Sequence, residues 1–445
     1  MIDLGMIGLP SGTASALVGS SPAPLAVLGD SITSNGLFTD ATTQRRRTFG
    51  FSTWLPWLTQ GRVWLPDTHN FGIGGDTTTG LLARIGSVTG ASPRPVVAAV
   101  LIGTNDIASA TDVGAVTIPN IRAIAERLRD AGIWAIFSPI LGRNAAGSAI
   151  SAARYDALNR VNFYIRNILP IDVPGTSIAH PSALFNDPTA SPGPAPIAGY
   201  TVDGLHPSVS GARIVGQAFA DVINARLPAA NLAAFDYGDR WSADNPTGNL
   251  LTDGSLAGAG QGGIYGNVNG QSVGFTYTAS AAVYPGIAVN QTGTTITVTT
   301  SRELDAAGRR WQRLLLSGNF TTNVATVLAI LFPMPSPTGR IAAGDALQGM
   351  MNARVMDGAA NVYGLTLTLN TTEGGVLYRQ MDGDLSQTGS LSAAGYTALM
   401  RTPRRLISAV PSAADLTLNV FFAAGLQGQT VALDLWVAGA SVRKI

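Results

Sequence analysis

The 445 residues are 46% apolar and only 12% charged, with a formal net charge of +1. So high an apolar share excludes a disordered chain, and near-neutrality excludes a nucleic-acid binder that works by neutralising phosphates. The length exceeds what one hydrophobic core organises, so two domains are expected.

Other counts narrow the field. With no cysteine, disulfides, thiolate metal sites and cysteine nucleophiles are all excluded, and the compartment stays open between virion-associated, extracellular and cytoplasmic. Three scattered histidines argue against a metal site, and no cofactor is expected. No apolar run is long enough to span a bilayer, so no membrane partner is expected. Positive charge is nearly all arginine, Lys444 being the only lysine. In Met1 to Pro24, Asp3 stands where a signal peptide needs basic residues, and Gly5, Gly8, Pro10 and Gly12 interrupt its helix, so residues 1–24 read as an arm.

Leu25 to Leu28 reads as a buried parallel strand that delivers Gly29-Asp30-Ser31 onto a sharp turn, with Thr33 and Ser34 opening a helix. Ser31 is the candidate nucleophile. A hydroxyl there sits where open α/β sheets hold their ligands, although Asp30 or Ser31 acting only as a helix cap explains this stretch equally well. Arg45 to Arg47 read as a solvated turn, and Phe51 to Leu58, with Trp54 and Trp57 three apart, as a helix packed on the core. Val63 to Asn70 supplies a short strand and leads into a turn with Gly72, Gly74 and Gly75, where Asp76 is expected to cap a helix over residues 77–85.

Pro95 to Ile102 is the clearest buried strand, and it ends in Gly103-Thr104-Asn105-Asp106. A helix over residues 118–131, with Ile121, Ile124, Ala125 and Leu128 on one side, is followed by a strand over 133–137 and a helix over 152–169. Such alternation predicts a doubly wound three-layer α/β/α parallel sheet. The proline-rich stretch from Asp187 to Gly199 is a long loop that delivers Asp203-Gly-Leu-His206, and residues 211–227 close the domain as a helix.

Beyond Pro228 the texture changes to short alternating runs, at residues 294–300, 324–332, 362–369, 416–422 and 430–437, separated by turn residues. That pattern predicts an all-β antiparallel sandwich of the jelly-roll kind over residues 228–445, after an α/β domain over 25–227. Gly258 to Gly263 matches a dinucleotide glycine pattern by letter, but no strand clearly leads into it and no helix follows, so it is set aside.

Four pieces occur in order: Gly29-Asp-Ser31, the glycine turn at Gly74-Gly75, Gly103-Thr-Asn105, and Asp203-x-x-His206. A serine hydroxyl needs a base near neutral pH, and His206 is suited to take its proton and later return it to a leaving alcohol. Asp203 can fix the imidazole tautomer. Backbone N–H groups of Ser31 and Gly75 with the Asn105 side-chain amide would form an oxyanion hole.

These blocks strongly resemble the SGNH hydrolases, the GDSL-like esterase/lipase superfamily, over residues 25–227. The first block reads Gly-Asp-Ser-Ile rather than Gly-Asp-Ser-Leu, which leaves the chemistry untouched. The resemblance implies a flavodoxin-like sheet and a carboxylic ester hydrolase with Ser31, Asp203 and His206 as triad and Ser31, Gly75 and Asn105 as oxyanion donors. Gly75 is chosen over Gly74 because the family's glycine commonly precedes a helix opening, here Asp76-Thr77. The trailing sandwich resembles carbohydrate-binding attachments, with Asn249 to Ser255 like the opening of many such modules, and also resembles phage tail-fibre modules. Deacetylation of an O-acetylated saccharide is therefore the favoured activity. A lipase, thioesterase or short-chain esterase with a structural sandwich is the first alternative, and a non-catalytic glycan-binding or virion tail protein the second. Trp241, Trp311 and Trp436 are candidate sugar platforms, with core packing the likelier role of each. The oligomeric state stays open, since no heptad pattern supports the trimer of a fibre-like protein.

Overall fold

The computed structural model describes residues 22–144, 150–191, 193–228, 241–245, 248–251, 264–265, 276–279, 287–290, 297–305, 310–320, 326–334, 337–383, 395–422 and 425–445. Most of the N-terminal arm, the Gly258 to Gly263 stretch and the end of the Asn249 to Ser255 segment lie outside the described residues. The chain forms two compact units, residues 1–36 with 49–232 and residues 37–48 with 233–445.

In the first unit the strand Ala23–Gly29 is central. Val97–Leu101 lies parallel on one side, then Trp134–Phe137 and Ser177–Ile178, while Val63–Trp64 and Asn70–Gly72 share its other side. All of these pairings are parallel, and the chain order reverses between Ala23–Gly29 and Val97–Leu101. That switch point opens a crevice at the strands' carboxyl ends.

Alternation along the strand explains the three layers. Ala26 and Leu28 point into one core with Ile121, Ile124, Leu128 and Leu158, whereas Leu25 and Val27 point into another with Phe51, Leu55, Val215 and Phe219. Helices Ile118–Asp130 and Ala152–Phe163 cover the first face, and Phe51–Leu58 and Val209–Arg226 the second. Each fully buried leucine contributes about 1.5–3 kcal/mol. Trp54 and Trp57 are buried edge to face, at 5.2 Å between centroids, so both serve packing.

Three local expectations shift. The helix after Ala152 becomes a π-helical turn at Tyr164–Ile168 rather than running evenly to Leu169. The helix after the glycine turn is Thr78–Ala83, capped by the Thr77 hydroxyl and not by Asp76. Asp76 is instead drawn to Arg84, which it accepts at 2.6 and 2.9 Å.

The second unit holds two sheets. One contains Ala413–Phe422 between Thr326–Pro333 and Gly364–Glu373, and the other contains Thr430–Lys444 between Arg310–Asn319 and Ala346–Val355; these neighbours are antiparallel. The segment 37–48, expected within the α/β domain over 25–227, belongs here. Leu37–Thr39 and Thr43–Arg46 form a hairpin, and Thr43–Arg46 runs parallel to Val376–Asp382 at the edge of the first of these sheets. Arg46 is buried there, donating to the Arg401 carbonyl at 2.7 Å and lying 3.8 Å from Asp382. Backbone hydrogen bonds along an open sheet edge and a buried ion pair draw the three-arginine stretch off the solvated surface that its charge suggested.

Trp311 is buried, and arginines lie over all three tryptophans considered as sugar platforms: Arg340 on Trp241 at 5.2 Å, Arg354 on Trp311 at 4.6 Å, and Arg313 and Arg354 on Trp436 at 5.8 and 5.7 Å. Each ring therefore has at least one guanidinium against it.

Candidate active site

The site begins with a steric demand at Gly29. A Cβ there would stand 2.1 Å from the Leu101 carbonyl oxygen and 2.3 Å from Thr33 Oγ1, so glycine lets the two strands and the next helix close on one another. Asp30 follows as the N-cap of Ser31–Ser34, its Oδ1 accepting from the Ile32 amide at 3.0 Å. Capping thus falls on Asp30, one residue before the candidate nucleophile Ser31.

Ser31 Oγ lies 2.8 Å from His206 Nε2, and His206 Nδ1 lies 2.6 Å from Asp203 Oδ2. An ionised carboxylate only accepts, so Nδ1 carries the proton and Nε2 is left to accept from the Ser31 hydroxyl. The other carboxylate oxygen accepts from the backbone amides of His206, at 2.7 Å, and Leu205, at 3.0 Å. Burial works against the Asp203 charge, but the bonds from the His206 ring and the two amides outweigh it and hold the carboxyl below its ordinary range. The four-residue turn is thereby both a hinge for the ring and a well for its counter-charge.

Gly75 takes a left-handed φ of +77°, a conformation that strains any side chain, and an added Cβ would meet no atom. The turn is therefore exposed, and backbone shape rather than crowding asks for glycine. Asn105 sits in the helix Thr104–Ala108 at the end of Val97–Leu101 and donates from Nδ2 to the Asp76 carbonyl at 2.8 Å. An amide nitrogen has two hydrogens, so this bond aims the side chain while leaving a second donor.

Three side chains that sequence reasoning passed over support this rim. Arg84 donates to the carbonyls of Gly29 and Phe71 and to Asp76, tying both strand ends to the glycine turn. Asp106 is fully buried and accepts from the Thr78 amide at 2.9 Å and its hydroxyl at 2.5 Å, joining the Asn105 helix to the helix after Gly75. Arg143, buried in the loop after Trp134–Phe137, donates to Thr104, and burial presses its guanidinium below its usual value. For Asp106 the signal is its place next to Asn105, and for Arg84 its place at the end of the short helix Thr78–Ala83 that follows the glycine turn; Arg143 carries no such signal.

The other histidines lie apart. His69 is buried, its ring bonded to the Pro93 carbonyl and the Thr68 hydroxyl, and burial lowers its pKa; His180 is exposed past Ser177–Ile178. Among the described residues no group of His, Asp and Glu is arranged to hold a metal ion, and no helix is long and apolar enough to cross a membrane.

Residues 27–214 match the GDSL-like lipase/acylhydrolase family. A search of curated proteins finds no match. Among solved structures, a GDSL-like lipase from Bacteroides thetaiotaomicron is 20% identical over 48% of this chain and 96% of its own, with a TM-score of 0.34. An acetylxylan esterase from Geobacillus stearothermophilus is 18% identical over 46% of this chain and 96% of its own, with a TM-score of 0.35.

Proposed function

We propose, from the match of residues 27–214 to the GDSL-like lipase/acylhydrolase family, that the protein is a serine esterase working through an acyl-enzyme, with Ser31, His206 and Asp203 as its triad. The continuous contact from the Ser31 hydroxyl through the His206 ring to Asp203 carries the reading. As Ser31 Oγ bonds to the ester carbonyl carbon, its proton passes to His206 Nε2 and the carbonyl electrons move onto oxygen. The Ser31 and Gly75 amides and Asn105 Nδ2 receive that oxyanion. Collapse expels the alcohol, which takes the proton from His206. Water then attacks the acyl carbon with His206 again as base, releasing the acid and restoring Ser31.

For the substrate we propose an acetyl ester on a saccharide. The rim is open: the Asp203 side chain is 47% exposed and that of His206 26%, and a Cβ added at Gly74 or Gly75 would meet no atom within 4 Å. Such a shallow site suits an ester displayed on a bulky alcohol. Ile73 and Val202, 49% and 55% exposed and next to the glycine turn and to Asp203, favour a second reading, a general short-chain esterase. Acetate release from acetylated xylan and bacterial capsule, measured beside p-nitrophenyl esters of increasing chain length, separates the two. Glycan deacetylation supports the first, and turnover confined to the p-nitrophenyl series supports the second. Undiminished turnover by Ser31→Ala would overturn both.

A further inference from the structure

Asp30 stands beside the nucleophile and has no part in the mechanism above. It is fully buried, and while Oδ1 accepts from the Ile32 amide, Oδ2 is buried without a hydrogen-bond partner. A carboxyl held this way is costly to ionise unless surrounding charge favours it. The neighbouring elements contribute charge of both signs. His206, on the turn after the proline-rich loop, and Arg143, on the loop after Trp134–Phe137, favour its ionised form. Asp76, on the glycine turn, and Asp106, on the Asn105 helix, oppose it, and Arg84 lies between Asp76 and the Gly29 carbonyl.

We propose that Asp30 is a positioning residue for the Ser31–His206 pair, its ionised carboxyl favouring the imidazolium that forms as Ser31 gives up its proton, and its protonated form withdrawing that support. The inference rests on the esterase reading, since the imidazolium arises only in that step. Attraction between Asp30 and His206 is reciprocal: whatever an imidazolium does to ease ionisation of the carboxyl, the carboxylate does to hold the proton on the ring. Burial pushes Asp30 up to about 7, so its carboxyl changes charge within the pH range over which the rate is read. The acid limb of the rate profile therefore reports two ionisations rather than one.

Asp30→Asn separates charge from capping, because an asparagine oxygen still accepts from the Ile32 amide. In the full-length protein the wild-type plot of log kcat/KM against pH is expected to rise with a slope above one on its acid limb. The variant is expected to show unit slope and a plateau about tenfold lower, the equivalent of one unit of lost coupling. Superimposable profiles would overturn the proposal while leaving the esterase reading intact. A second measurement needs no turnover: in Ser31→Ala, the His206 ring followed by NMR should titrate about one unit lower once Asp30→Asn is added. An unmoved His206 titration would refute the coupling. Asp30→Ser, which keeps a capping oxygen, serves the same comparison where the asparagine variant does not fold.

Discussion

The rim of the parallel sheet and the edge of the sandwich each bury a carboxyl group, and the two behave oppositely. Asp30 accepts one amide and is pushed by burial up to about 7. Burial also opposes the charge on Glu373, but bonds from the Arg405 guanidinium, the Thr371 hydroxyl and the Ser408 hydroxyl and amide outweigh it and hold the group at about 2. Glu373 lies in less depth and has four bonding groups around it, whereas Asp30 lies deeper with one amide, and both differences push the two carboxyls apart. A fully satisfied ion pair staples strands, whereas a half-satisfied carboxyl stays responsive to the groups around it.

Substitutions test this contrast by asking whether each region loses rate or stability. The largest effect is expected at the rim: His206→Ala should lower kcat by about 10⁴–10⁶-fold, read as ester turnover, while the denaturant midpoint of unfolding stays near wild type. Asn105→Ala removes one oxyanion donor and should raise the barrier by about 2.7–4 kcal/mol, again with kcat as the readout. At the sandwich edge, Arg405→Ala strands Glu373 and should cost about 3 kcal/mol in denaturant unfolding, with kcat of the folded protein unchanged. Should Arg405→Ala lower kcat instead, the division of labour between the regions fails.

The smallest effects are in pH. The folded value of Glu373 lies below its ordinary 4.5, so its stabilisation is complete above that value and lost as pH falls toward about 2. Asp30 has the opposite sign. Its folded value lies above its ordinary 3.8, so the native state binds the extra proton and stability declines as pH rises from about 4 to about 7. Asp30→Asn should flatten the second slope, and unfolding curves recorded from pH 2 to 8 would show both.

The geometry at the rim is legible in the sequence because each piece is local. A strand followed by Gly29-Asp30-Ser31, or an Asp203-x-x-His206 turn, carries its geometry within a few residues, and parallel strands bring the pieces to one edge. The doubly wound sheet follows from alternating apolar runs such as residues 97–101 and 134–137. What escapes is whatever depends on a distant partner. Thr43-Gln-Arg-Arg46 has no apolar alternation and becomes a strand only because Val376–Asp382 offers its edge. Arg84 and Arg143 look like surface arginines until the carbonyls they hold, at Gly29 and Thr104, are brought beside them. The state of Asp30 likewise depends on crowding from four separate segments.

That borrowed hairpin has a bearing on how the chain matures as it leaves the ribosome. The α/β unit can assemble early around Ala23–Gly29, yet the outer edge of its looped-out hairpin, Thr43–Arg46, gains its strand neighbour only when Asp382 has been synthesised, and Arg46 waits for Arg401, 355 positions later. Until then the nascent chain displays an open hairpin edge not far along the chain from Ser31, a natural recognition point for chaperones. Stop codons between the two units would release a product with that edge still bare, so truncated transcripts should yield insoluble protein rather than a trimmed enzyme.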